Sequence, residues 1–502
     1  MLRKILTIFL LFIFPAISFS QIVTYSEALK DDIKNTDFEI VGKVSGNILT
    51  FRNNKSNYAI AVYDNQLKLK ELVPLDFLPE KTFNVNFIAY PDFIYLIYQY
   101  QIKKTVYSAA VKLDAEAKVI NQPVSLDTAE IGNHSNKIYT IVNSEDKQKI
   151  LLVRSLKQST SLTVTTTLLD NNLQIIKKAT QDLAFNDAKS ICVNYLVDND
   201  GDLAFNISAK ASNREYFDQL ELITKSALAD SFTIHNIDLK GRYTNDIFMK
   251  ADNLNKHYIL NTFFYMEKKG DVQGIYTNIW DKKSNSSLSN VFINFGDSVR
   301  IAIKKTGHIK DALNDFIIKS VIVKKDGGYI LMAEDCSVDQ SNGNGTNHYN
   351  RWDYFYNSMY LSPFGYNPYY YNPYNPYGFN NIQTTTYNYK NVFIVSIDKY
   401  GNPEWNNAIY KDQSSDNDDN ALSFGTFTTG GEIHLLFNEL VKRNLVLSDN
   451  SVTASGDINK NAQINPDKGY SFLPRFGKQI GAKQFVMLCS YHGSVCFAKI
   501  EY

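Results

Sequence analysis

The sequence predicts an all-β fold, most simply a β-propeller with seven or eight four-stranded blades. Tyr (33 residues) and Phe (31 residues) are abundant, and aromatic side chains fit the pleated surface of a strand. A hairpin of similar pattern also recurs about every fifty residues, a period that suits one propeller blade. A blade cannot bury both of its faces alone, so repeated blades pack side by side around a common axis.

The recurring hairpin is recognised by its second strand, which alternates apolar and other residues and stops at a polar residue. An Asp at the end of a strand accepts hydrogen bonds from the following backbone and starts a tight turn. Eight copies end at Asp64, Asp114, Asp170, Ser226, Asp281, Asp398, Asp449 and Glu501. An apolar strand precedes each copy, for example at residues 47–51, 93–98, 149–153, 258–263, 328–333, 432–437 and 484–489.

The last copy has no following strand, so the N-terminal region is expected to complete its blade. Residues 22–25 or 38–44 are the two candidates. Such closure removes an exposed sheet edge. Two β-sandwich domains are the alternative fold, because they also consist of short alternating strands. A transmembrane barrel is a third possibility, although its strands need about ten residues each.

The first twenty residues read as a signal peptide. Arg3 and Lys4 precede an apolar stretch at 5–17, and Ser18 and Ser20 occupy the positions that a signal peptidase reads. The mature chain is then expected to begin at Gln21. No Cys follows this position to carry a lipid anchor, and no later segment is apolar for long enough to span a bilayer as a helix.

Net charge and cysteine content argue against two further classes of protein, nucleic-acid-binding proteins and disulfide-held scaffolds. The formal charge is +0, from 52 basic and 52 acidic residues, so nucleic-acid binding has no electrostatic support. Cys192, Cys336, Cys489 and Cys496 are too few for a disulfide-held scaffold of this size. Cys489 and Cys496 flank the predicted turn at His492-Gly493, where they form either a cross-strand disulfide or two buried thiols.

Residues 337–389 interrupt the repeat with a Tyr/Asn/Pro-rich insertion in one blade. Asn-Pro-Tyr occurs three times between Asn367 and Tyr377. Because proline lacks a backbone donor, we expect a long loop that projects from the ring. This loop is either an aromatic surface that binds a partner or a low-complexity segment without a function of its own. The preferred contact residues are Trp352, Tyr354, Tyr356, Tyr369, Tyr370 and Tyr371.

The sequence shows no phosphate loop, nucleophile elbow, zinc helix or CxxC pair, so we expect no catalytic residue, metal or cofactor. His434 shares a strand face with Glu432 and is expected to be structural. The Asp198-Asn199-Asp200-Gly201-Asp202 segment resembles a calcium loop in spacing only, and a hairpin turn explains it more simply. Asp412, Asp416, Asp418 and Asp419 read as a solvated acidic linker between blades.

Three segments, at 327–335, 391–413 and 472–502, resemble blade and end sequences of secreted propeller-like proteins of Bacteroidota. A Tyr/Asn-rich insertion before the second segment adds to this resemblance, which is weak in the first half of the chain. It implies a propeller in the cell envelope, without an assigned activity. No C-terminal sorting domain of the type 9 secretion kind is recognised. Location in the periplasm or at the outer membrane is therefore expected, with the cell surface as an alternative.

The function expected from these patterns is a non-catalytic envelope scaffold or protein-binding propeller, and attachment to an outer-membrane complex is one form of that role. Its partner would be another envelope protein, and its own membrane contact peripheral at most. The alternative is a carbohydrate-binding or glycan-active propeller that uses the tyrosine-rich loop. An axial channel filled by apolar side chains would favour the scaffold over an enzyme.

Overall fold

The computed structural model describes residues 21–32, 36–80, 82–132, 137–210, 216–268, 270–304, 312–341, 346–350, 384–416 and 418–502. Its strands form eight antiparallel sheets, each built around four strands. The chain is a β-propeller with eight blades, which decides between the seven and eight blades predicted from the repeat.

The first half of the ring begins with two short strands, β1 (Ile22–Tyr25) and β2 (Leu29–Asp32). Blade 1 contains β3 (Asp37–Val44), β4 (Asn47–Asn54), β5 (Asn57–Tyr63) and β6 (Leu69–Pro74). Blade 2 contains β7 (Thr82–Ala89), β8 (Ile94–Ile102), β9 (Thr105–Leu113) and β10 (Val124–Glu130). Blade 3 contains β11 (Tyr139–Asn143), β12 (Lys149–Lys157), β13 (Ser161–Asp170) and β14 (Ile175–Ala184). Blade 4 contains β15 (Ser190–Val197), β16 (Leu203–Ala209), β17 (Gln219–Lys225) and β18 (Thr233–Ile237).

The second half includes the helix α1 (Asp297–Lys304), which lies between blades 5 and 6 in the chain. Blade 5 contains β19 (Tyr243–Thr244), β20 (Phe248–Asp252), β21 (His257–Tyr265), β22 (Val272–Asp281) and β23 (Ser286–Asn294). Blade 6 contains β24 (Phe316–Val323), β25 (Tyr329–Ser341), β26 (Thr346–Asn350), β27 (Thr384–Ile397), β28 (Pro403–Ile409) and β29 (Gln413–Asp416). Blade 7 contains β30 (Phe424–Thr429), β31 (Glu432–Val441), β32 (Asn444–Val452) and β33 (Ile458–Lys460). Blade 8 contains β34 (Tyr470–Gly481), β35 (Gln484–Tyr491) and β36 (Ser494–Glu501).

The two ends of the chain close the ring within blade 8. Strand β1 pairs antiparallel with β36, from Ile22 opposite Glu501 to Tyr25 opposite Ala498. Of the two candidates for this role, residues 22–25 therefore complete the blade, whereas residues 38–44 belong to the first strand of blade 1. Closure leaves the ring without a seam at which the first and last blades would expose a sheet edge.

Each blade shares an apolar core with both of its neighbours. Representative pairs within these cores, in order around the ring from blades 1 and 2, are Val41 with Val85, Ile97 with Ile150, Val164 with Phe205, Leu222 with Leu260, Ile275 with Leu331, Ile394 with Leu435, Leu436 with Met487, and Leu488 with Ile48. The predicted burial of blade faces against one another is thus present at all eight interfaces, and it is the main source of stability expected for a repeat fold.

Turns that follow the third strand use the aspartate chemistry predicted from the repeat. Asp64, Asp114, Asp170 and Asp398 each accept two backbone hydrogen bonds at Oδ1, from the amides two and four residues later. The expectation for Asp449 is wrong. Strand β32 continues to Val452, because Asp449 is buried and bonded across the sheet rather than to its own turn.

The connections divide the ring into two faces. The turn face carries the turns that join first to second and third to fourth strands, and these span ten residues at most, at 114–123. The linker face carries the turns between second and third strands and the segments that run to the next blade. Both the 342–383 segment and the 295–315 segment leave from the linker face. Among the described residues, no helix has the length and apolar character needed to cross a membrane.

Candidate functional site

The central hairpin of blade 6 is longer than its counterparts and extends the linker face. Strands β25 and β27 pair from Tyr329 opposite Ile397 out to Ser341 opposite Thr384. Two additional strands, β26 and β29, pair with the outer part of this hairpin. The prediction that residues 337–389 form one loop is therefore wrong at both ends, where period-two alternation continues the strands (Cys336, Val338, Tyr387 and Tyr389 are buried).

One surface of the extended hairpin is polar and centred on His348. Its Nδ1 lies 2.6 Å from Asp339 Oδ1, and its Nε2 lies 3.3 Å from Asp315 Oδ2. The hydrogen bond to Asp315, and then that to Asp339, outweighs desolvation and raises the pKa of His348 to about 9. Asn388 donates to the other oxygen of Asp339. The imidazolium on β26 is thus held between the carboxylates of Asp339 on β25 and Asp315, which directly precedes β24.

Beneath the hairpin lies a buried charged cluster around Glu334. Lys411 Nζ lies 2.6 Å from Glu334 Oε1, and Lys319 Nζ lies 3.3 Å from Oε2. Ser423 donates to Oε2 at 2.6 Å. Burial acts to raise the pKa of Glu334, but the two ammonium groups and the hydroxyl outweigh it and lower that pKa. The cluster fixes the segment between blades 6 and 7 beneath the hairpin.

A second buried cluster joins blade 6 to blade 8 through Tyr389. Its hydroxyl donates to Asp419 Oδ2 at 2.5 Å, and Arg475 on β34 bonds Asp419 Oδ1 at 2.8 Å. Asp419 is fully buried. The expectation of a wholly solvated acidic linker at 412–419 is wrong here, because Arg475 supplies a counter-charge from a distant part of the sequence. Residues 413–416 of the same run form strand β29.

The six aromatic residues preferred as partner contacts lie outside the described residues. These are Trp352, Tyr354, Tyr356, Tyr369, Tyr370 and Tyr371, within the 351–383 gap. The structure fixes where their segment starts and ends, on the linker face of blade 6. The predicted signal peptide at 1–20 also lies outside the described residues.

The first strands of the blades contact one another around the axis, and several of them carry charged groups. Lys478 on β34 donates to the carbonyl oxygens of Ile40 and Val41 at 3.2 and 2.9 Å. Desolvation raises the pKa of Glu39 on β3 to about 7, partly offset by Lys478. Desolvation likewise raises the pKa of Asp246, between β19 and β20, to about 7. Charged as well as apolar side chains therefore lie on or beside the first strands of the blades. An apolar lining was the arrangement expected from the sequence to favour a scaffold.

The acidic turn at 198–202 brings three carboxylates together on the turn face. Ligand oxygens of Asp198, Asp200 and Asp202 lie within 4.8 Å of one another. Lys282 from blade 5 pairs with all three, at 3.1 Å from Asp200 Oδ2 and 2.9 Å from Asp202 Oδ2. Asp198 Oδ1 accepts the amides of residues 200 and 202, which makes this the hairpin turn that the sequence indicated. The ammonium group occupies the place that a cation would take.

His434 is a buried residue in a hydrogen-bond network. Its Nδ1 lies 2.9 Å from Asp449 Oδ1, and its Nε2 lies 2.8 Å from the hydroxyl of Thr429. Gln21 and Tyr502 donate to the other oxygen of Asp449 at 2.9 and 3.0 Å. Glu432 instead accepts from Ser451, so the two residues do not form a pair. The network ties both ends of the described chain to blade 7, in keeping with the predicted structural role.

The two C-terminal cysteines lie directly opposite each other on β35 and β36. Their Cα atoms are 5.0 Å apart, and their sulfur atoms are joined in a disulfide. The turn at His492-Gly493 has two residues, both at positive φ, as expected for a tight hairpin. Cys192 and Cys336 are buried and take no part in this disulfide.

A cleft of about 390 Å³ lies between blades 3 and 4. Its walls are formed by Thr160, Ala184, Phe185, Asn186, Ser190, Ile207, Ala209, Gln219 and Glu221. Burial raises the pKa of Glu221. A single carboxyl group with amide and hydroxyl neighbours offers hydrogen bonds to a polar ligand but no paired acid and base.

Sequence reasoning did not find the Glu334 and Asp419 clusters. Each cluster brings together side chains from segments that are far apart in the sequence, so no local sequence pattern indicates either cluster. The one available signal was a charged residue at an apolar position of a strand, as in the stretch from Tyr329 to Glu334.

No protein-family model and no curated protein matches the chain. Among solved structures, prolyl oligopeptidase B from Galerina marginata is 10% identical with a TM-score of 0.40, over 91% of this chain and 55% of that protein. Dihydro-heme d1 dehydrogenase NirN is 10% identical with a TM-score of 0.39, over 96% and 78%. An apocarotenoid oxygenase from Synechocystis is 8% identical with a TM-score of 0.35, over 76% and 75%. The chain spans about half the length of the oligopeptidase. The fold assignment rests on the sheet order and the shared cores between blades, and no activity is taken from these proteins.

Proposed function

We propose that the chain is a non-catalytic binding module of the cell envelope, which presents its aromatic insertion to a protein partner from the linker face of blade 6. The observation that carries this proposal is the extended hairpin. Among the blades, it alone gains two additional strands at its outer part, β26 and β29, within the described residues. A scaffold that positions a long loop needs such a rigid base.

The buried clusters beneath the hairpin support this role. Glu334 with Lys411 and Asp419 with Arg475 tie the base of the hairpin to neighbouring blades. Buried ion pairs of this kind fix a single arrangement more than they add net stability. Tyrosine then offers a large contact area at small entropy cost, with a hydroxyl for hydrogen bonding. The 367–377 segment is rich in it.

Location in the envelope supports the choice of partner. The signal peptide pattern and the resemblance to secreted Bacteroidota proteins both point to export. We therefore propose that the partner is an envelope protein, and more specifically a component of an outer-membrane complex.

The test is crosslinking in cells that produce the protein naturally, followed by affinity capture and identification of the partner. Binding is then measured with the purified pair. Three forms are compared: the mature chain, a chain with residues 351–380 replaced by a Gly/Ser segment of equal length, and a chain with the six aromatic residues changed to Ser. Strand β26 is retained in all three. We expect both variants to bind at least about tenfold more weakly, as for loss of aromatic hot spots. Equal binding by all three forms would remove the loop from the proposal.

A glycan-active or glycan-binding propeller is the second candidate, and two desolvated carboxyl groups, on or beside the first strands of their blades, favour it. Glu39 in blade 1 and Asp246 in blade 5 both have a pKa near 7. Carboxyl groups with raised pKa values serve as general acids in glycosidases. A glycan array tests this candidate. Binding that is lost in Glu39→Gln and Asp246→Asn would support it, and an array with no signal above background would eliminate it.

A further inference from the structure

The tips of the second-to-third-strand hairpins on the linker face carry unpaired basic residues beside exposed apolar ones. In blade 2 the tip reads Ile102-Lys103-Lys104, and Ile102 is 53% exposed. In blade 7 the tip runs from Leu440 through Lys442 and Arg443 to Leu445. Leu440 and Leu445 stand opposite each other across the strands and are 71% and 41% exposed.

These tips lie on one arc of the ring. Blades 7, 8, 1 and 2 are consecutive, because the shared cores run without a break from blade 7 through blade 8 to blade 2. The corresponding tip of blade 1 carries Lys55. We call Lys55, Lys103, Lys104, Lys442 and Arg443 the basic arc. Their side chains are exposed, and they make no ion pair or hydrogen bond with any residue in the described ranges.

Turn geometry does not explain why basic residues stand there. Lys55, Lys103, Lys442 and Arg443 all have positive φ, between 47° and 71°. Tight hairpin turns of this kind favour Gly, Asn or Asp, because a Cβ atom is strained in the left-handed region. On the turn face, lysines in the same conformation are paired: Lys147 donates to the carbonyl oxygen of Ala89, and Lys256 pairs with Asp200. Four residues of the basic arc meet the same strain, and their side chains have no partner within the described part of the chain.

We infer that the basic arc and its flanking apolar residues dock the ring onto an anionic lipid surface. Lysine and arginine bind lipid phosphates, while isolated apolar side chains enter the boundary between headgroups and acyl chains. A planar surface fits better than a protein partner, because the apolar residues lie on two separate tips, Ile102 on blade 2 and Leu440 with Leu445 on blade 7, rather than around one groove. The turn residues at 55–56, 103–104 and 442–443 include no acidic side chain, but exposed acidic residues lie beside two of these tips. Glu130 is opposite Thr105, next to Lys104, and Asp37 is opposite Asn53, near Lys55. Glu439 precedes Leu440, and its carboxylate is held by Ser448.

This inference rests on the envelope location in the proposed function, and it adds the surface against which the ring lies. It also determines which side of the ring the insertion shares with the membrane, because the insertion leaves from the same face. The aromatic segment would then start close to the membrane plane.

The test is co-flotation of purified mature chain with vesicles of phosphatidylethanolamine and phosphatidylglycerol (7:3) and with pure phosphatidylcholine vesicles. The wild type should bind the anionic vesicles and lose binding at 0.5 M salt. The variant Lys103→Gln, Lys104→Gln, Lys442→Gln, Arg443→Gln should bind at least about tenfold more weakly, since each basic residue near an anionic surface contributes roughly fivefold. The variant Ile102→Ser, Leu440→Ser, Leu445→Ser should also weaken binding, while keeping the salt dependence.

The matched control removes four lysines from the turn face: Lys68→Gln, Lys118→Gln, Lys325→Gln, Lys399→Gln. It has the same net charge as the first variant and should bind like wild type. Thermal melts confirm that all variants are folded. The inference is overturned if wild type does not float with anionic vesicles, or if the control loses as much binding as the linker-face variant. Because no partner is present in this assay and the insertion is intact throughout, its failure leaves the partner-binding experiment unaffected.

Discussion

Glu334 Oε1 lies 2.6 Å from Lys411 Nζ, with both side chains no more than 1% exposed. The pair connects the central hairpin of blade 6 to the segment that leads into blade 7. Taking two charges out of water is costly, so such a pair is tolerated only when its geometry and its other hydrogen bonds compensate. Here Ser423 and Lys319 complete the shell around the carboxylate.

Changing Glu334 to Ala should destabilise the protein by about 3–5 kcal/mol, because it leaves the Lys411 ammonium buried without a counter-charge. Chemical denaturation monitored by tryptophan fluorescence measures this loss.

Replacing both Glu334 and Lys411 by Met should recover at least half of the lost stability, since that buried pair is then absent. The exposed pair of Glu71 and Lys118, 3.7 Å apart, is the control. Glu71→Ala should cost less than about 1 kcal/mol. Similar costs at both sites would show that the cluster is not what anchors the hairpin.

Removing Lys282 should convert the Asp198, Asp200 and Asp202 turn into a weak calcium site. Three carboxylates without their ammonium group offer the oxygen ligands that Ca²⁺ prefers. For Lys282→Ala we expect 10 mM Ca²⁺ to raise the unfolding temperature by about 1–2 °C, as for a site of millimolar affinity in a chain of this length. Wild type and Lys256→Ala, which both keep Lys282, should not respond. A calcium effect on wild type would mean that the turn is already a metal site.

Asp246 should make stability fall as the pH rises from about 4 to about 7. Its pKa is about 7 in the folded protein, against 3.8 for an unburied aspartate, with desolvation as the cause. Within this window the folded state holds a proton that the unfolded state has released. Asp246→Asn should match wild type near pH 4 and exceed it by about 4 kcal/mol at pH 8. Urea titrations at the two pH values measure the difference. A constant difference across this range would contradict the raised pKa.

Thiol counting checks the disulfide of blade 8. Alkylation of the denatured, unreduced protein should label Cys192 and Cys336 only, and reduction should add Cys489 and Cys496. Changing both of the latter to Ser should lower stability by about 2 kcal/mol, because the unfolded chain then gains freedom over the short loop. Four reactive thiols before reduction, in protein purified from an oxidising compartment, would show that both residues are free.

The fold followed from the sequence because its evidence is local and repeated. Period-two alternation placed the central strands, and strand-ending aspartates placed turns such as those at Asp64 and Asp398. Asp449 shows the limit of that signal. An aspartate at the expected spacing was read as a strand end, but a buried histidine across the sheet holds it within the strand.

The candidate site was less predictable, because it depends on contacts between distant segments. The insertion was recognised by composition, yet the strands at 337–341 and 384–389 were not, since the surrounding polar sequence obscured their alternation. Lys282 and Asp198 are 84 positions apart, and Arg475 and Asp419 are 56 apart. Such pairs become neighbours only once eight blades are arranged in a ring.

The most direct test of the ring itself is a disulfide placed across its closure. Ile22 and Glu501 lie opposite each other on β1 and β36. In a background with Cys489 and Cys496 changed to Ser, the variant Ile22→Cys, Glu501→Cys should crosslink readily in the folded state and raise the unfolding temperature. Mass spectrometry of the unreduced digest identifies the bond.

The control variant, Ile22→Cys, Ser494→Cys, places the second cysteine at the far end of β36, and it should remain uncrosslinked. That pattern is the result expected for an eight-bladed ring closed by its first strand. Equal crosslinking in both variants, or none in either, would contradict the closure and with it the arrangement of blades on which the proposed binding role depends.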